Sequence, residues 1–229
     1  MATRALDQNI APRAEPRSRR YDPAETRQRV LAAASLLFST RGFAATGTAD
    51  IAREADVSEG SIFYHFGSKK NLLAELGRRY GEAMIEAMQR DDRLEDLEPG
   101  IIVPRVFEFC RTNQMWQQVT APGNKPGEIA HSKNPDAEPF YHAAKDTTTA
   151  WITNQMTIAY ASRGITGINI PITASFTHHV VGDAIDAIMS AETDECRAVI
   201  EAETVRFVRA ACGFTGPVAE PRPALPDQA

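Results

Sequence analysis

Glu59, Gly60, Ser61, Tyr64 and His65 are the residues whose types and spacing point most directly to chemistry. On a helix they form a short, small-to-polar face carrying one phenol and one imidazole. Such a face suits base edges and phosphate oxygens better than it suits a protein core. Ile62 and Phe66, at an i, i+4 interval, supply the opposite face of the same helix, and that face is apolar.

Other chemistry-bearing residues are less well arrayed. His178-His179, and His142 with Asp146 four residues on, are metal-ligand types. They lack a third ligand at metal-site spacing, so neither a metal nor a cofactor is expected. The loop Gly123–Gly127 lacks the Gly-x-x-x-x-Gly-Lys-Ser/Thr arrangement that cradles phosphates, and no nucleophile–base pair stands out, so an enzyme is not expected. Cys110, Cys196 and Cys212 are odd in number and widely spaced, as expected of small core residues in a reducing compartment.

The outward face needs a scaffold, and the flanking residues describe one. Ile51, Ala52 and Ala55 form the apolar face of a short helix, and Val57 follows its turn. Ala52 is small enough to let a second helix cross closely. Asp56 stands where the turn requires positive φ, a conformation Asp tolerates better than most residues. Ser58 caps the second helix, its hydroxyl accepting a free N–H of the first turn. Upstream, Val30, Ala33, Ala34, Leu37 and Phe38 line a helix that ends at Arg41-Gly42, with Phe43 closing it. Gly67-Ser68 breaks the chain before a long helix from Lys69 to about Gln89. Thr46 and Thr48 precede the first short helix, where their hydroxyls would anchor a DNA backbone. Lys69 would reach the same phosphates from the other side.

From about residue 26 to 76 these features resemble the N-terminal domain of the TetR family of transcriptional regulators. The resemblance rests on Ala33-Ala34 with Leu37-Phe38, Gly42-Phe43, Thr46, Asp50-Ile51-Ala52, Ala55 and Val57-Ser58. It continues through Gly60-Ser61-Ile62-Phe63-Tyr64-His65-Phe66, Lys69 and Leu72-Leu73. It covers roughly the first third of the chain. It implies an all-α fold: a three-helix, homeodomain-like helix-turn-helix domain followed by a helical ligand-binding and dimerisation domain. It implies base contacts at Glu59, Gly60 and Ser61, with Tyr64 and His65 reaching bases or phosphates. Gly60 would bring the helix close to the groove wall, and Tyr64 would pack on thymine methyls. Two residues depart from the family pattern. Phe63 stands where a Tyr is common, which removes one hydroxyl, and Ala49 stands where a longer polar side chain often reaches a base.

The charge distribution fits a DNA-binding end. The 229-residue chain carries a net charge of −5, but residues 1–79 hold 13 Lys/Arg against 9 Asp/Glu, a local +4. Residues 80–229 hold 12 against 21, a local −9, which would turn the second domain away from DNA. Residues 1–20, with Arg4, Arg13, Arg17, Arg19 and Arg20 broken by Pro12 and Pro16, read as a disordered basic arm able to reach the minor groove. Residues 21–68 read as the helix-turn-helix domain, 69–213 as the effector-binding and dimerisation domain, and 214–229 as a disordered Pro-rich tail. With no secretory signal and no membrane span, a cytoplasmic, nucleoid-associated protein is expected.

The second domain reads as all helix. Segments are expected at about Pro104–Gln118, Glu128–His131, Asn134–Ser162, Pro171–Ala191 and, capped by Thr193, on to Ala211 before Gly213. Ala121–Gly127 and Gly164–Asn169 read as connections. Phe176, Val180, Ala184, Ala187 and Ile188, with Ala198, Ala202, Val205 and Ala211, form faces suited to a four-helix bundle between two copies. The family resemblance implies a homodimer on a palindromic operator. Phe107, Met115, Trp116, Phe140, Tyr141, Trp151, Gln155 and His178 are candidate lining for a largely apolar small-molecule site. The function expected is a dimeric repressor released from double-stranded DNA by such a molecule. The alternatives are a helical protein-interaction module and a ligand-independent DNA-binding regulator.

Overall fold

The computed structural model describes residues 22–90, 98–113 and 135–217. Among them lie eight α-helices and one 3-10 turn, with no strand. The expected basic arm, the Ala121–Gly127 loop, the Glu128–His131 helix and nearly all of the Pro-rich tail lie outside the described residues.

Three helices build the head. Helix α1 (Pro23–Arg41) begins at Asp22, whose carboxylate accepts the N–H groups of Ala24 and Glu25, and it ends at Gly42 with φ 85°. Helix α2 (Thr48–Glu54) is joined to α3 (Glu59–Phe66) through Asp56, which adopts φ 51°. The Arg29 guanidinium holds that turn by donating to the Asp56 carbonyl at 3.2 Å. Ser58 Oγ accepts the Ser61 N–H at 3.2 Å and so caps α3 as its position predicts.

Five helices follow: α4 (Lys69–Gln89), α5 (Pro99–Thr112), α6 (Glu138–Arg163), α7 (Ile170–Ser190) and α8 (Asp194–Ala211). Helix α6 is entered through the 3-10 turn Pro135–Ala137. Asn169 caps α7 and Thr193 caps α8, each through its side-chain oxygen. Helix α5 starts five residues earlier than the sequence predicts. Two prolines compete for its first turn: Pro99 takes the first position, and Pro104 is tolerated inside at the loss of one backbone hydrogen bond. The expected extension toward Gln118 falls on residues outside those described.

Two hydrophobic cores share α4. Val30, Phe38, Ile51, Ile62, Leu72, Leu73 and Leu76 are completely or nearly completely buried in the first. Met88, Val106, Phe107, Met156, Ile188 and Val208 belong to the second. The first half of α4 therefore packs with the head and its second half with the larger domain, so one rigid element runs between them.

Candidate nucleic-acid interface and interior cavity

Helix α3 is divided as its sequence pattern requires. Ile62 (0 %) and Phe66 (8 %) are buried, whereas Tyr64 (79 %) and Phe63 (49 %) stand out from the surface. Glu59 and Gly60 are exposed, and Ser61 and His65 are half-buried. The Tyr64 ring meets the His65 ring edge-on at 5.0 Å. Ser61 Oγ lies 2.8 Å from Ser58 Oγ, so both hydroxyls already serve the helix start. Thr48 Oγ1 donates to the Glu59 carboxylate, which ties the first residue of α2 to the first of α3. A Cβ at Gly60 would meet nothing nearer than Ser58 Oγ at 3.8 Å. The fold itself therefore gives no reason for glycine at this position.

Two residues expected to anchor phosphates are turned inward. Thr46 is 1 % exposed, and its hydroxyl donates to the carbonyls of Gly42 at 2.7 Å and Leu37 at 3.3 Å. Lys69 Nζ donates to the carbonyls of Phe43 and Thr46, both at 2.9 Å, and lies 4.2 Å from the centre of the Phe43 ring. The two side chains supply donors to backbone carbonyls at the end of α1 and in its connection to α2. Thr46 Oγ1 is thereby removed from the candidate contacts, and Lys69 acts first as a brace for the loop.

Sequence reading missed a second brace. The Glu75 carboxylate on α4 receives Arg27 of α1 at 2.8 Å, Arg78 at 2.6 Å and Arg79 at 3.3 Å. The hydrogen bond from Arg78, joined by the Arg27 guanidinium, holds its pKa down to about 2 against the opposing effect of burial. Arg27 also lies over the Phe66 ring at 5.1 Å, so one side chain bridges α1, α3 and α4. An Arg at i+3 from a Glu is visible in sequence; the partner on α1 is not.

A cavity of about 640 Å³ lies among α4, α5, α6, α7 and the end of α8. Of the residues named as candidate lining, Tyr141, Trp151, Gln155 and His178 face this cavity. Phe107 and Phe140 do not: Phe107 is 3 % exposed in the second core, and Phe140 is 2 % exposed, packed against Tyr80 at 5.6 Å between ring centres. Met115 and Trp116 lie outside the described residues. Met84, Met88, Ile152 and Met156 line the cavity without having been singled out, although Met84 and Met88 have the i, i+4 spacing of a helix face. His178 Nδ1 lies 3.2 Å from Thr148 Oγ1. Burial, with smaller effects from His179 and Lys145, pushes the His178 imidazole down to about 4, so it is neutral at pH 7. His142 Nε2 faces the Glu138 carboxylate at 3.5 Å, and among the described residues no three His, Cys, Asp or Glu side chains converge as metal ligands.

On the outer face of α7 and α8, Phe176 is 66 % exposed and Val180 and Val205 are half-buried; Ala187, Ala198 and Ala202 are exposed. Ala184 is instead buried in the second core beside Ile185 and Ile188: it lies roughly 60–80° around α7 from Ala187 and Phe176, on the edge of that face that turns toward the core. Ile172 (51 %), Val199 (62 %) and Phe207 (52 %) add exposed apolar surface that the sequence reading did not include. No helix among the described residues is long and apolar enough to cross a membrane.

The family model for bacterial regulatory proteins of the tetR family matches residues 30–76. The N-terminal domain is a TetR-family helix-turn-helix domain. Within this TetR-type head lie all the α2–α3 residues described above. The HTH-type transcriptional repressor KstR2 of Mycolicibacterium smegmatis is 38 % identical over 58 residues, which is 25 % of this chain and 28 % of that relative. The chain thus matches little more than a quarter of that relative's length. The likeness in shape runs further. A structure described as a tetR-family transcription regulator from Shewanella sp. PV-4 aligns with 81 % of this chain and 97 % of its own, at a TM-score of 0.56 and 20 % identity. RolR in complex with resorcinol aligns with 86 % of this chain and 97 % of its own, at a TM-score of 0.52 and 16 % identity. At these identities the TetR-type resemblance of the larger domain is one of fold.

Proposed function

We propose that the protein is a dimeric transcriptional repressor that reads a palindromic operator through α3 and is released by a small, largely apolar molecule in the cavity. The observation that carries this reading is the outward face of α3. Tyr64 and Phe63 are exposed there beside a glycine that the fold does not require. A ring and a phenol hydroxyl on a short protruding helix suit thymine methyls and phosphates, and a bare backbone permits close approach to the groove wall. Glu59 and the half-buried His65 flank them, and the first-turn N–H groups of Glu59 and Gly60, which a helix leaves without intrahelical partners, suit a phosphate.

Gly60 gives the sharpest test. Leucine is a better helix former than glycine, and the site is open, so Gly60→Leu should leave the melting temperature unchanged or slightly raised. Its side chain would hold the helix off the groove. Affinity for an operator selected from a random DNA pool should fall at least tenfold in a mobility-shift assay. Unchanged affinity would remove α3 as the reading element and favour a protein-interaction module.

The exposed apolar strip of Ile172, Phe176, Val199 and Phe207 supports a second copy as the partner of α7 and α8. A carboxylate at the centre of such an interface is costly to desolvate. The double variant F176E/V199E should run as a monomer by light scattering at micromolar concentration with its helix content intact. It should also lose operator binding, because one short helix binds weakly without its twin. A wild-type chain that is itself monomeric at these concentrations would refute the dimer. The cavity, and the presence of resorcinol in a structure of similar fold, support a small-molecule effector.

A further inference from the structure

Resting on the reading of the cavity as the effector site, we propose that the molecule it takes is an elongated lipophilic amine, positively charged at one end and carrying a hydrogen-bond donor toward the other. The shape argues for length. The cavity wall on α6 runs from Glu138 to Ala159, which at 1.5 Å per residue spans about 30 Å. A volume of about 640 Å³ drawn out over that distance is a slot and not a round chamber. Met84, Met88 and Met156 on its walls give it adaptable, apolar sides.

The charges argue for a cation. Among the described residues that line the slot, Glu98, Glu138, Asp183 and Asp186 are acidic, and Lys145 is the single Lys or Arg. The Lys145 ammonium lies against His179 Nε2 at 3.3 Å, and Glu98 meets Arg209 from outside the lining at 3.4 Å. A carboxylate or phosphate ester entering this slot would leave water for a field of its own sign, whereas an ammonium gains from the same field. Asp186 lines the end where the Tyr80 hydroxyl and the Cys110 thiol meet at 3.7 Å, and its charge helps to keep that buried thiol protonated.

The second polar station is Gln155. It is 7 % exposed, it lines the slot, and its Oε1 is buried without a hydrogen-bond partner. Buried acceptors are nearly always satisfied, so an orphan in a cavity wall asks for a donor from the occupant. Gln155 lies fourteen residues beyond Tyr141, or about 20 Å along α6 from the end that holds Tyr80 and Asp186. An ammonium at Asp186 and a hydroxyl or amide N–H at Gln155 would be joined by a hydrocarbon stretch.

Four twelve-carbon probes separate these terms on the full-length protein, titrated below their micelle concentrations by tryptophan fluorescence: 12-aminododecan-1-ol, dodecylamine, dodecan-1-ol and 12-hydroxydodecanoate. The amino alcohol should bind at least tenfold tighter than the hydroxy acid, and Asp186→Asn should cut that preference to about threefold or less. The terminal hydroxyl should improve on dodecylamine by about fivefold, a gain that Gln155→Leu removes. If Asp186→Asn fails to fold, the wild-type charge series decides alone. Equal or tighter binding of the hydroxy acid, survival of the amine preference in a folded Asp186→Asn protein, or no saturable binding by any probe would overturn the proposal. Should the hydroxy acid be the one that binds and releases DNA, the regulator reading stands and the amine assignment falls. An amino alcohol that binds without releasing DNA upholds the amine assignment and refutes release as its consequence.

Discussion

Replacing Gly77 with alanine is expected to cost at least ~3 kcal/mol and lower the melting temperature by roughly 10 °C. Gly77 is buried on α4 where α6 crosses, and a Cβ there would lie 2.1 Å from the Phe140 carbonyl oxygen and 2.8 Å from its Cα. The obstructing atoms are backbone, so no side-chain rotation relieves the overlap. Helix α6 itself must move. Four residues on, a Cβ at Gly81 would lie 2.9 Å from Thr147 Cβ and 3.1 Å from the Ala144 carbonyl. The two glycines form one seam, and Gly81→Ala should cost less because its nearest approach is 2.9 Å against 2.1 Å at Gly77. Gly164→Ala is the control: that residue sits at φ 65° with nothing within 4 Å, so it should cost only the left-handed backbone strain of about 1–2 kcal/mol. Thermal melts of the three variants settle the order, and a Gly77→Ala protein no less stable than Gly164→Ala would contradict the seam. The effect should extend to ligand response, because α6 carries Tyr141, Trp151 and Gln155 of the cavity while α4 continues into the head.

What the sequence reveals of this fold is mostly what is local. The Ser58 cap, the positive φ of Asp56, the end of α1 at Gly42 and the break at Gly164 each depend on a few neighbouring residues, and each is where its residue type predicts. The start of α5 is not legible locally because Pro99 and Pro104 are both acceptable first-turn residues, and only packing chooses between them. Aromatic spacing on α6 shows which residues turn inward but not what they meet. Phe140 therefore joins the first core and Tyr141, one residue on, faces the cavity. The Gly77–Phe140 seam joins positions sixty-three residues apart in sequence, and glycine spacing alone does not identify its partner. Of the candidate interface, the exposed side chains of α3 were legible because a helix face is periodic. The inward turn of Thr46 was not, since its acceptors are backbone carbonyls at the C-terminal end of α1, Leu37 and Gly42.

Lys69 is the residue at which these two kinds of information conflict, and Lys69→Met is expected to weaken operator binding strongly by destabilising the head. Methionine fills similar space but offers no donor. The carbonyls of Phe43 and Thr46 would lose the ammonium that now binds both at 2.9 Å, and the Phe43 ring would lose a cation 4.2 Å from its centre. Loss of these contacts should cost about 2–3 kcal/mol and loosen the connection that sets α2 against α1. Since α3 is positioned by α2, operator affinity should fall by about a hundredfold. A simple phosphate contact predicts something different: an unchanged melting temperature and a salt dependence of binding shallower by about one unit of slope. Lys69→Arg separates the two further. Arginine keeps the charge, so a phosphate contact would survive it. The planar guanidinium cannot reproduce an ammonium bonded to two carbonyls and seated on a ring, so a brace would be damaged. Combined loss of affinity and of melting temperature in Lys69→Met, with only partial recovery in Lys69→Arg, identifies Lys69 as the residue that holds the reading head in shape.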